Sequence, residues 1–182
     1  MHKDFENILF TEKEVVSRIE EMGQEVSAYY KNKGIEQIAV IGVLKGAFIF
    51  MADLVRKISI GVEIDFVQIS SYGVGAVTSG KPVFKKDVDI DIEGKHILLV
   101  EDIVDTGITL TALKKFFAER KPASITLCTL VDKPSRRKVD LKPEFRGFAV
   151  PDKFIVGYGM DYAEKYRDLP YIGILSPNIY TK

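Results

Sequence analysis

The chain has 182 residues, a length that suits one globular domain with a sizeable core. Its 26 lysine and arginine residues balance 26 aspartate and glutamate residues, so the surface as a whole does not attract nucleic acid. The single cysteine, Cys128, excludes an intrachain disulfide, and the lack of a signal-peptide core or of roughly 18 consecutive apolar residues predicts a cytoplasmic protein with no membrane partner.

Helix and strand signals alternate along the first half of the chain. Thr11 and Glu14 match a capping box, and apolar residues at helical spacing follow from Val15 to Val26, until Gly34 stops the pattern. The next predicted segments are a buried strand at Ile38–Val43, a helix at Gly46–Ile58, a strand at Glu63–Ser70, a loop at Tyr72–Lys81, and an edge strand of a small hairpin within Lys85–Lys95.

The same alternation continues through the second half. It predicts a strand at Ile97–Val100, a helix from Ile108 to about Arg120, a strand at Ile125–Val131, and a last strand near Phe154–Tyr158 before an irregular C-terminus. Strands that alternate with helices imply an α/β domain with a mostly parallel twisted sheet flanked by helices. We therefore expect a single domain over residues 1–182.

The most informative segment follows the strand that begins at Ile97. Two acids, Glu101 and Asp102, end the apolar run, and a third acid, Asp105, precedes a turn and the start of a helix. Ligands of parallel sheets bind at the carboxyl ends of the strands, and helix N-termini bind phosphate through free N–H groups. The segment therefore predicts a site for a phosphorylated sugar.

Four further blocks extend the likeness of this segment to a known family. The segment LLVEDIVDTGITL resembles the signature of the phosphoribosyltransferases, and the rest of the chain resembles their hypoxanthine-guanine branch. The blocks that carry the likeness are LKG at Leu44–Gly46, SSYG at Ser70–Gly73, LVDKPSRR at Leu130–Arg137, and FIVGYGMDYAEKYRDLPYIG at Phe154–Gly173. The resemblance implies the type I phosphoribosyltransferase fold, with a small hood from the chain termini. It also implies transfer of a phosphoribosyl group from phosphoribosyl pyrophosphate to N9 of a 6-oxopurine.

The three acids of the signature acquire separate roles from this resemblance. Glu101 and Asp102 would face the ribose, where they stabilise positive charge, and would hold Mg²⁺ together with Asp161. Asp105 would accept the proton from N7 of the purine, although an aspartate here could also serve as an N-cap. The paired acids could likewise only cap the following loop.

The phosphate groups would be bound by two loops. The segment Asp105–Thr109 would hold the 5′-phosphate through the backbone of Gly107 and Ile108 and the hydroxyls of Thr106 and Thr109. Ile108 supplies no charge, whereas some relatives carry lysine. Pyrophosphate would be bound by the loop that follows the predicted strand at Ile38–Val43, which contains Leu44, Lys45 and Gly46. Arg167, near the C-terminus, would also bind it. Read alone, Lys45 could be a solvated loop lysine.

The purine would be recognised by residues of the second half. Lys133 would donate to O6 and so disfavour adenine, which presents an amino donor there. Phe154 would stack on the ring, and the backbone of Ile155 would read its edge. From sequence alone, Lys133 could be a solvated turn lysine and Phe154 a core residue. A lid near residues 71–82, with Ser71 and Tyr72, would close over the site.

Two alternatives from other classes stay open at this point. One is a non-enzymatic regulator on the same fold, and the other is a phosphoribosyltransferase that prefers xanthine. The sequence retains Asp105 and Lys133, which favours an enzyme that acts on a 6-oxopurine. It does not rank hypoxanthine, guanine and xanthine. The resemblance also implies a homodimer or homotetramer.

Overall fold

The computed structural model describes residues 3–69 and 84–181. The elements in chain order are β1 (Phe5–Phe10), α1 (Glu12–Lys31), β2 (Gln37–Leu44), α2 (Phe48–Val55), β3 (Gly61–Ile69), β4 (Phe84–Lys86), β5 (His96–Val104), α3 (Ile108–Ala118), β6 (Ser124–Asp132), β7 (Phe145–Ala149), β8 (Ile155–Val156), β9 (Ile172–Leu175) and α4 (Pro177–Tyr180). Within the described ranges, none of the helices combines the length and the apolar character that a membrane span needs.

The main sheet confirms the predicted mostly parallel architecture. Its strand order is β4-β3-β2-β5-β6-β7, and β4 alone runs antiparallel to its neighbour. The chain moves outward from β2 to β3 and then returns to the other side of β2 to form β5. The strand order therefore reverses between β2 and β5, and such a switch point is where open α/β sheets bind ligands.

The apolar run of β5 is explained by a sheet that is covered on both faces. Leu98 and Val100 pack with α1 and α2 on one face, whereas Ile97 and Leu99 pack with α3 on the other face. Successive side chains of a strand point to opposite faces, so a strand buried on both sides needs apolar residues at every position.

The first helix forms as predicted. The hydroxyl of Thr11 accepts from the N–H of Glu14 at 3.4 Å, and the Glu14 carboxylate accepts from the N–H of Thr11 at 2.8 Å. This reciprocal capping box satisfies two N–H groups that the helix leaves free. Val15 and Val26 are buried, and Gly34 lies just beyond the end of the helix with a φ of 71°.

The chain termini form a second, smaller sheet, which is the hood. Its antiparallel order is β1-β9-β8. The prediction of an irregular C-terminus is wrong, because β9 and α4 form there, and β8 is shorter than the predicted strand at Phe154–Tyr158. The strand β8 ends at Val156 because Gly157, Tyr158 and Gly159 all adopt positive φ values, which are incompatible with a strand.

Three further segments differ from the prediction. The second helix runs from Phe48 to Val55 and not from Gly46 to Ile58, because residues 45–47 form a turn against β5. Strand β7 was not predicted. The Lys85–Lys95 segment forms strand only at β4, and the remainder follows an irregular path. Its alternating Val88, Ile90 and Ile92 pack on the core without pairing as a strand.

Asp65 fixes this irregular segment. Its buried carboxylate accepts from the backbone N–H groups of Phe66, Asp89 and Ile90 at 2.7, 2.6 and 3.0 Å, and Lys86 lies 3.3 Å away. Burial by itself would raise the pKa of Asp65, but these hydrogen bonds outweigh it and hold the pKa below its usual value. The carboxylate is therefore more stable in the folded protein than in the unfolded chain.

Replacing Asp65 by asparagine should destabilise the fold by about 1–3 kcal/mol at neutral pH, because an NH₂ group would face N–H donors. The wild-type advantage should be lost as the pH falls through the lowered folded pKa, since a depressed pKa stabilises only above it. Urea unfolding of both proteins at pH 7 and pH 3 measures this. The exposed Asp91→Asn serves as control and should change stability by less than about 0.5 kcal/mol. Equal stability of Asp65→Asn and wild type at pH 7 would contradict the assignment.

Candidate functional site

A cavity of about 430 Å³ opens where the carboxyl ends of β5 and β6 meet the hood. Its walls bring together acidic, basic and aromatic side chains from segments that are far apart in sequence. The lining residues are Asp102, Ile103, Asp105, Lys133, Arg136, Asp152, Lys153, Phe154, Ile155, Met160, Asp161 and Tyr180. Six of the sequence-predicted site residues are among them, so the fold places the candidate site at the predicted edge of the sheet.

The acidic pair lies within β5 and not after it. The strand continues through Glu101 and Asp102 to Val104, because β6 pairs with it along this whole length. Burial raises the pKa of Glu101 well above its usual value, and the adjacent charge of Asp102 raises it further. Burial also raises the pKa of Asp102, which is opposed by hydrogen bonds and by the charge of Arg167. Two such carboxylates favour a cation between or beside them.

The carboxylate of Asp102 also meets a second part of the fold. Asp102 Oδ1 accepts from the adjacent N–H of Ile103 at 2.7 Å, and a Cβ atom added to Gly46 would lie 1.8 Å from Asp102 Oδ2. The turn after β2 therefore touches the carboxylate on β5. The peptide bond between Leu44 and Lys45 is cis.

Asp105 is not the N-cap of α3. That position belongs to Gly107, which has a φ of 79° and makes no side-chain cap hydrogen bond. The Asp105 carboxylate instead accepts from Nε of Arg136 at 2.9 Å, and Arg136 also contacts Asp152 at 3.5 Å. The N-cap alternative is therefore wrong, and Asp105 presents its carboxylate to the cavity.

The turn that leads into α3 has the features of an anion site. The N-cap residue of the helix makes no side-chain cap. Thr106 Oγ1 accepts from the N–H of Ile108 at 3.4 Å, which is a long hydrogen bond. Thr109 is partly buried and Ile108 is 38% exposed. Backbone N–H groups at an uncapped helix start bind anions through hydrogen bonds and the helix dipole.

Lys133 is a buried lysine and not a solvated turn residue. It is 7% exposed, and its N–H donates to the carbonyl of Val104 at 2.9 Å, which links the ends of β6 and β5. Burial lowers the pKa of Lys133, whereas the nearby Asp105 and Asp152 oppose that change. Lys133 lines the cavity, and its ammonium group, which can only donate, is suited to bind an acceptor there.

Aromatic rings form the opposite wall. Phe154 stacks on Tyr180 of α4, with the ring centroids 5.0 Å apart and an interplanar angle of 29°, and it meets Tyr162 edge-on at 5.4 Å. Phe154 and the buried Ile155 both line the cavity. Phe154 is therefore partly a packing residue, as one alternative held, and it also presents surface to the cavity.

A charged cluster lies beside the cavity. Arg167 contacts Asp161 at 2.8 Å and donates to the carbonyl of Gly159 at 2.8 Å. Glu164 accepts from Lys45 at 3.0 Å and from Arg167 at 3.3 Å. Hydrogen bonds from Lys45 and then Arg167 lower the pKa of Glu164, which is therefore ionised at neutral pH.

Two parts of the predicted site are not assembled or not described. Ser71, Tyr72 and the lid predicted near residues 71–82 lie outside the described residues. Across residues 3–69 and 84–181, no three histidine, cysteine or acidic side chains form a group that could hold a metal ion. Glu101, Asp102 and Asp161 therefore do not make a complete metal cage by themselves.

The sequence interpretation missed the two arginines that support Asp105. Arg136 and Arg137 follow a predicted strand and resemble a solvated basic turn. In the structure, Arg137 donates to the backbone carbonyl of Asp105 and pairs with the buried Asp132, which Arg146 also approaches at 3.5 Å. The sequence signal for this role is their position three and four residues after Lys133. In the structure, the turn that holds them lies over the loop that begins at Asp105.

Comparisons with known proteins agree with this geometry. Residues 8–163 match the family described as the phosphoribosyl transferase domain. The chain is 49% identical over 173 residues to a hypoxanthine phosphoribosyltransferase of Haemophilus influenzae, covering 95% of this chain and 97% of that one. It is 49% identical over 180 residues to a hypoxanthine-guanine phosphoribosyltransferase of Bacillus subtilis, covering 99% and 98%.

A solved structure gives the same result at the level of the fold. It is a hypoxanthine phosphoribosyl transferase of Trypanosoma cruzi, from work on how the C-terminal region affects its oligomeric state and enzymatic activity. The TM-score is 0.93 at 39% sequence identity, and the match covers 100% of this chain and 96% of that one. The mostly parallel sheet and its hood are therefore shared with a solved relative.

The two adjacent arginines should differ sharply in their effect on stability. Arg137→Ala should cost about 3 kcal/mol, because it leaves Asp132 buried and without its main partner. Arg136→Ala, the matched control at an exposed pair, should change stability far less, because water competes with such pairs. Urea unfolding of the two variants measures the difference. If Arg137→Ala is no less stable than Arg136→Ala, the buried pair does not support the loop.

Proposed function

The chain belongs to the phosphoribosyl transferase family, and we propose that it transfers the 5-phosphoribosyl group of phosphoribosyl pyrophosphate to N9 of hypoxanthine or guanine. The products are IMP or GMP and pyrophosphate, so the reaction salvages purine bases. The observation that carries the proposal is the cavity in which Lys133, Asp105 and Phe154 surround one space beside Asp102. These residues supply a donor, a proton acceptor and a stacking surface for a 6-oxopurine.

The acidic pair stabilises the reacting sugar. As the bond between the anomeric carbon and pyrophosphate breaks, positive charge develops on the ribose ring. Fixed negative groups beside that charge lower the free-energy barrier of the transfer, because they do not have to reorient during the reaction. Asp102 lines the cavity and Glu101 adjoins it in β5, and burial raises the pKa of both carboxylates, which a cationic partner would relieve.

We propose Mg²⁺ as the cofactor. Mg²⁺ prefers oxygen ligands and commonly uses few carboxylates together with phosphate oxygens and water. Asp102 and Asp161 both face the cavity, and Glu101 adjoins Asp102, so these carboxylates fit a partly substrate-bound ion better than a complete protein cage. When bound, Mg²⁺ neutralises the charge of the leaving pyrophosphate.

The purine loses one proton during the transfer. N9 forms the new bond to the anomeric carbon, and the proton on N7 passes to the carboxylate of Asp105. Arg136 holds that carboxylate at 2.9 Å at the edge of the cavity. The turn from Thr106 to Thr109 binds the 5′-phosphate, and Lys45 and Arg167 bind the pyrophosphate group.

Replacing Asp105 by asparagine should lower kcat by about 10²–10⁴-fold, because an amide is a poor proton acceptor. Stability should change by less than about 1 kcal/mol, since the amide oxygen still accepts from Arg136 at a half-exposed site. Steady-state kinetics and urea unfolding measure the two effects. Asp152→Asn removes the other carboxylate near Arg136 and should retain most of its kcat. An unchanged kcat in Asp105→Asn would refute the proton acceptor.

Lys133 selects the 6-oxopurine. Its ammonium group can only donate, so the O6 acceptor of hypoxanthine or guanine satisfies it, and the amino group of adenine does not. Two facing donors in a buried site are penalised heavily, because neither can turn to water.

Replacing Lys133 by alanine should reduce the ratio of kcat/KM for hypoxanthine to that for adenine by about 10–100-fold. Competing-base assays measure this ratio. Lys153→Ala, which removes a half-exposed lysine from the same cavity wall, is the control and should leave the ratio unchanged. A ratio in Lys133→Ala that equals the wild-type ratio would remove Lys133 from base selection.

The function is tested by a direct assay with the purified chain, phosphoribosyl pyrophosphate and Mg²⁺. Hypoxanthine and guanine should be converted to nucleotide, and adenine should not. Faster conversion of xanthine would favour the xanthine enzyme. No nucleotide from any of these bases would favour a regulator built on the same fold.

Three coarser features complete the proposal. A homodimer or homotetramer is supported by the likeness to the Trypanosoma cruzi protein, whose solved structure comes from work on its oligomeric state. A cytoplasmic setting is supported by the buried free thiol of Cys128, which suits a reducing compartment. A single domain over residues 1–182 is supported by the family match to residues 8–163.

A further inference from the structure

Glu164 joins two cations that come from different parts of the fold. The same oxygen, Oε2, accepts from Nζ of Lys45 at 3.0 Å and from Nη2 of Arg167 at 3.3 Å. Lys45 follows β2 of the main sheet, whereas Arg167 belongs to the loop of the hood. One carboxylate oxygen between an ammonium and a guanidinium group reproduces the way in which a phosphate oxygen binds such a pair.

The backbone places Glu164 at this point. Its φ is 62°, in the left-handed region that a residue with a side chain rarely adopts. Its N–H donates to Oδ2 of Asp161 at 2.9 Å, which holds the turn against the site. An unfavourable conformation that is fixed by a hydrogen bond indicates that the position of this side chain is specified by the fold.

The exposure of the three side chains shows which of them can move. Arg167 is 20% exposed and is held by Asp161 and by the carbonyl of Gly159, and its Nε atom is buried without a partner. Glu164 and Lys45 are 63% and 53% exposed. Exposed ion pairs contribute little to stability because water competes with them, so the Glu164 carboxylate can leave without disturbing Arg167.

We propose that Glu164 is an internal counter-anion that occupies the pyrophosphate-binding cations Lys45 and Arg167 between turnovers and is displaced by the incoming pyrophosphate group. This inference rests on the proposed function. The carboxylate competes for the same donors, so it weakens the binding of pyrophosphate and favours its release after transfer. Glu164 does not touch the reacting atoms, and it acts only through its competition for the two cations.

The test is calorimetric titration of the full chain with magnesium pyrophosphate, for wild type and Glu164→Gln. Glutamine removes the competing charge, so the Kd should fall by about three- to tenfold. The KM for phosphoribosyl pyrophosphate should fall in parallel. Unchanged or weaker binding in Glu164→Gln would overturn the proposal, since a residue that only arranges the site would weaken binding when it is replaced.

Two controls separate direct competition from general charge. Glu21→Gln removes a similarly exposed charge that pairs with Arg18 far from the site, and its Kd should equal the wild-type value. Glu164→Asp keeps the charge but shortens the side chain, so competition by contact predicts a Kd below that of wild type. A Kd in Glu164→Asp equal to wild type would assign the effect to repulsion and overturn the proposal. Failure of the wild-type chain to bind magnesium pyrophosphate would instead contradict the proposed function.

Discussion

The close approach of Gly46 to the carboxylate of Asp102 is the contact on which the site depends. A side chain at residue 46 would place its Cβ atom 1.8 Å from Asp102 Oδ2, so the turn after β2 can lie against β5 only with glycine there. Gly159 repeats the constraint, because its Cβ would lie 2.0 Å from the carbonyl oxygen of Gly46. The two glycines thus stack a sheet turn and a hood loop on one buried acid, and the cavity forms beside this stack.

Charge in the site is arranged in two ways. Asp105 pairs with Arg136, and the cations of the other half pair with Glu164, so these groups carry partners that are exposed and weakly held. The acids Glu101 and Asp102 are neighbours in β5, and burial raises the pKa of both. The exposed pairs can exchange partners at small cost, whereas Glu101 and Asp102 would be stabilised by a cation beside them. A ligand that carries both anionic and cationic character satisfies both arrangements.

The sequence predicts the elements whose signals are local. Helix α1 forms as predicted because its capping box and apolar spacing act within the helix, and the apolar run at Ile97 predicts β5 because burial on both faces leaves no alternation. Strands β1, β7 and β9 are not predicted from the sequence, because short strands depend on their pairing partners more than on their own residues. The role of Arg136 is not predicted either, because it depends on a tertiary contact. A half-exposed arginine in a turn has no distinguishing local signal until the fold brings it to Asp105.

The position of Lys133 links the part of the site proposed to recognise the base to the acids of β5. Its N–H binds the carbonyl at the end of β5, so the residue proposed to select the base is fixed to the strand that carries the acids. Burial of an ammonium group is unfavourable, and Asp105 and Asp152 offset it through charge at a distance. In the proposed function, a purine oxygen would accept from this ammonium group, whereas an amino group would face it with a second donor. The burial of Lys133 would then favour bases that present an acceptor at this point, because only such a ligand relieves it.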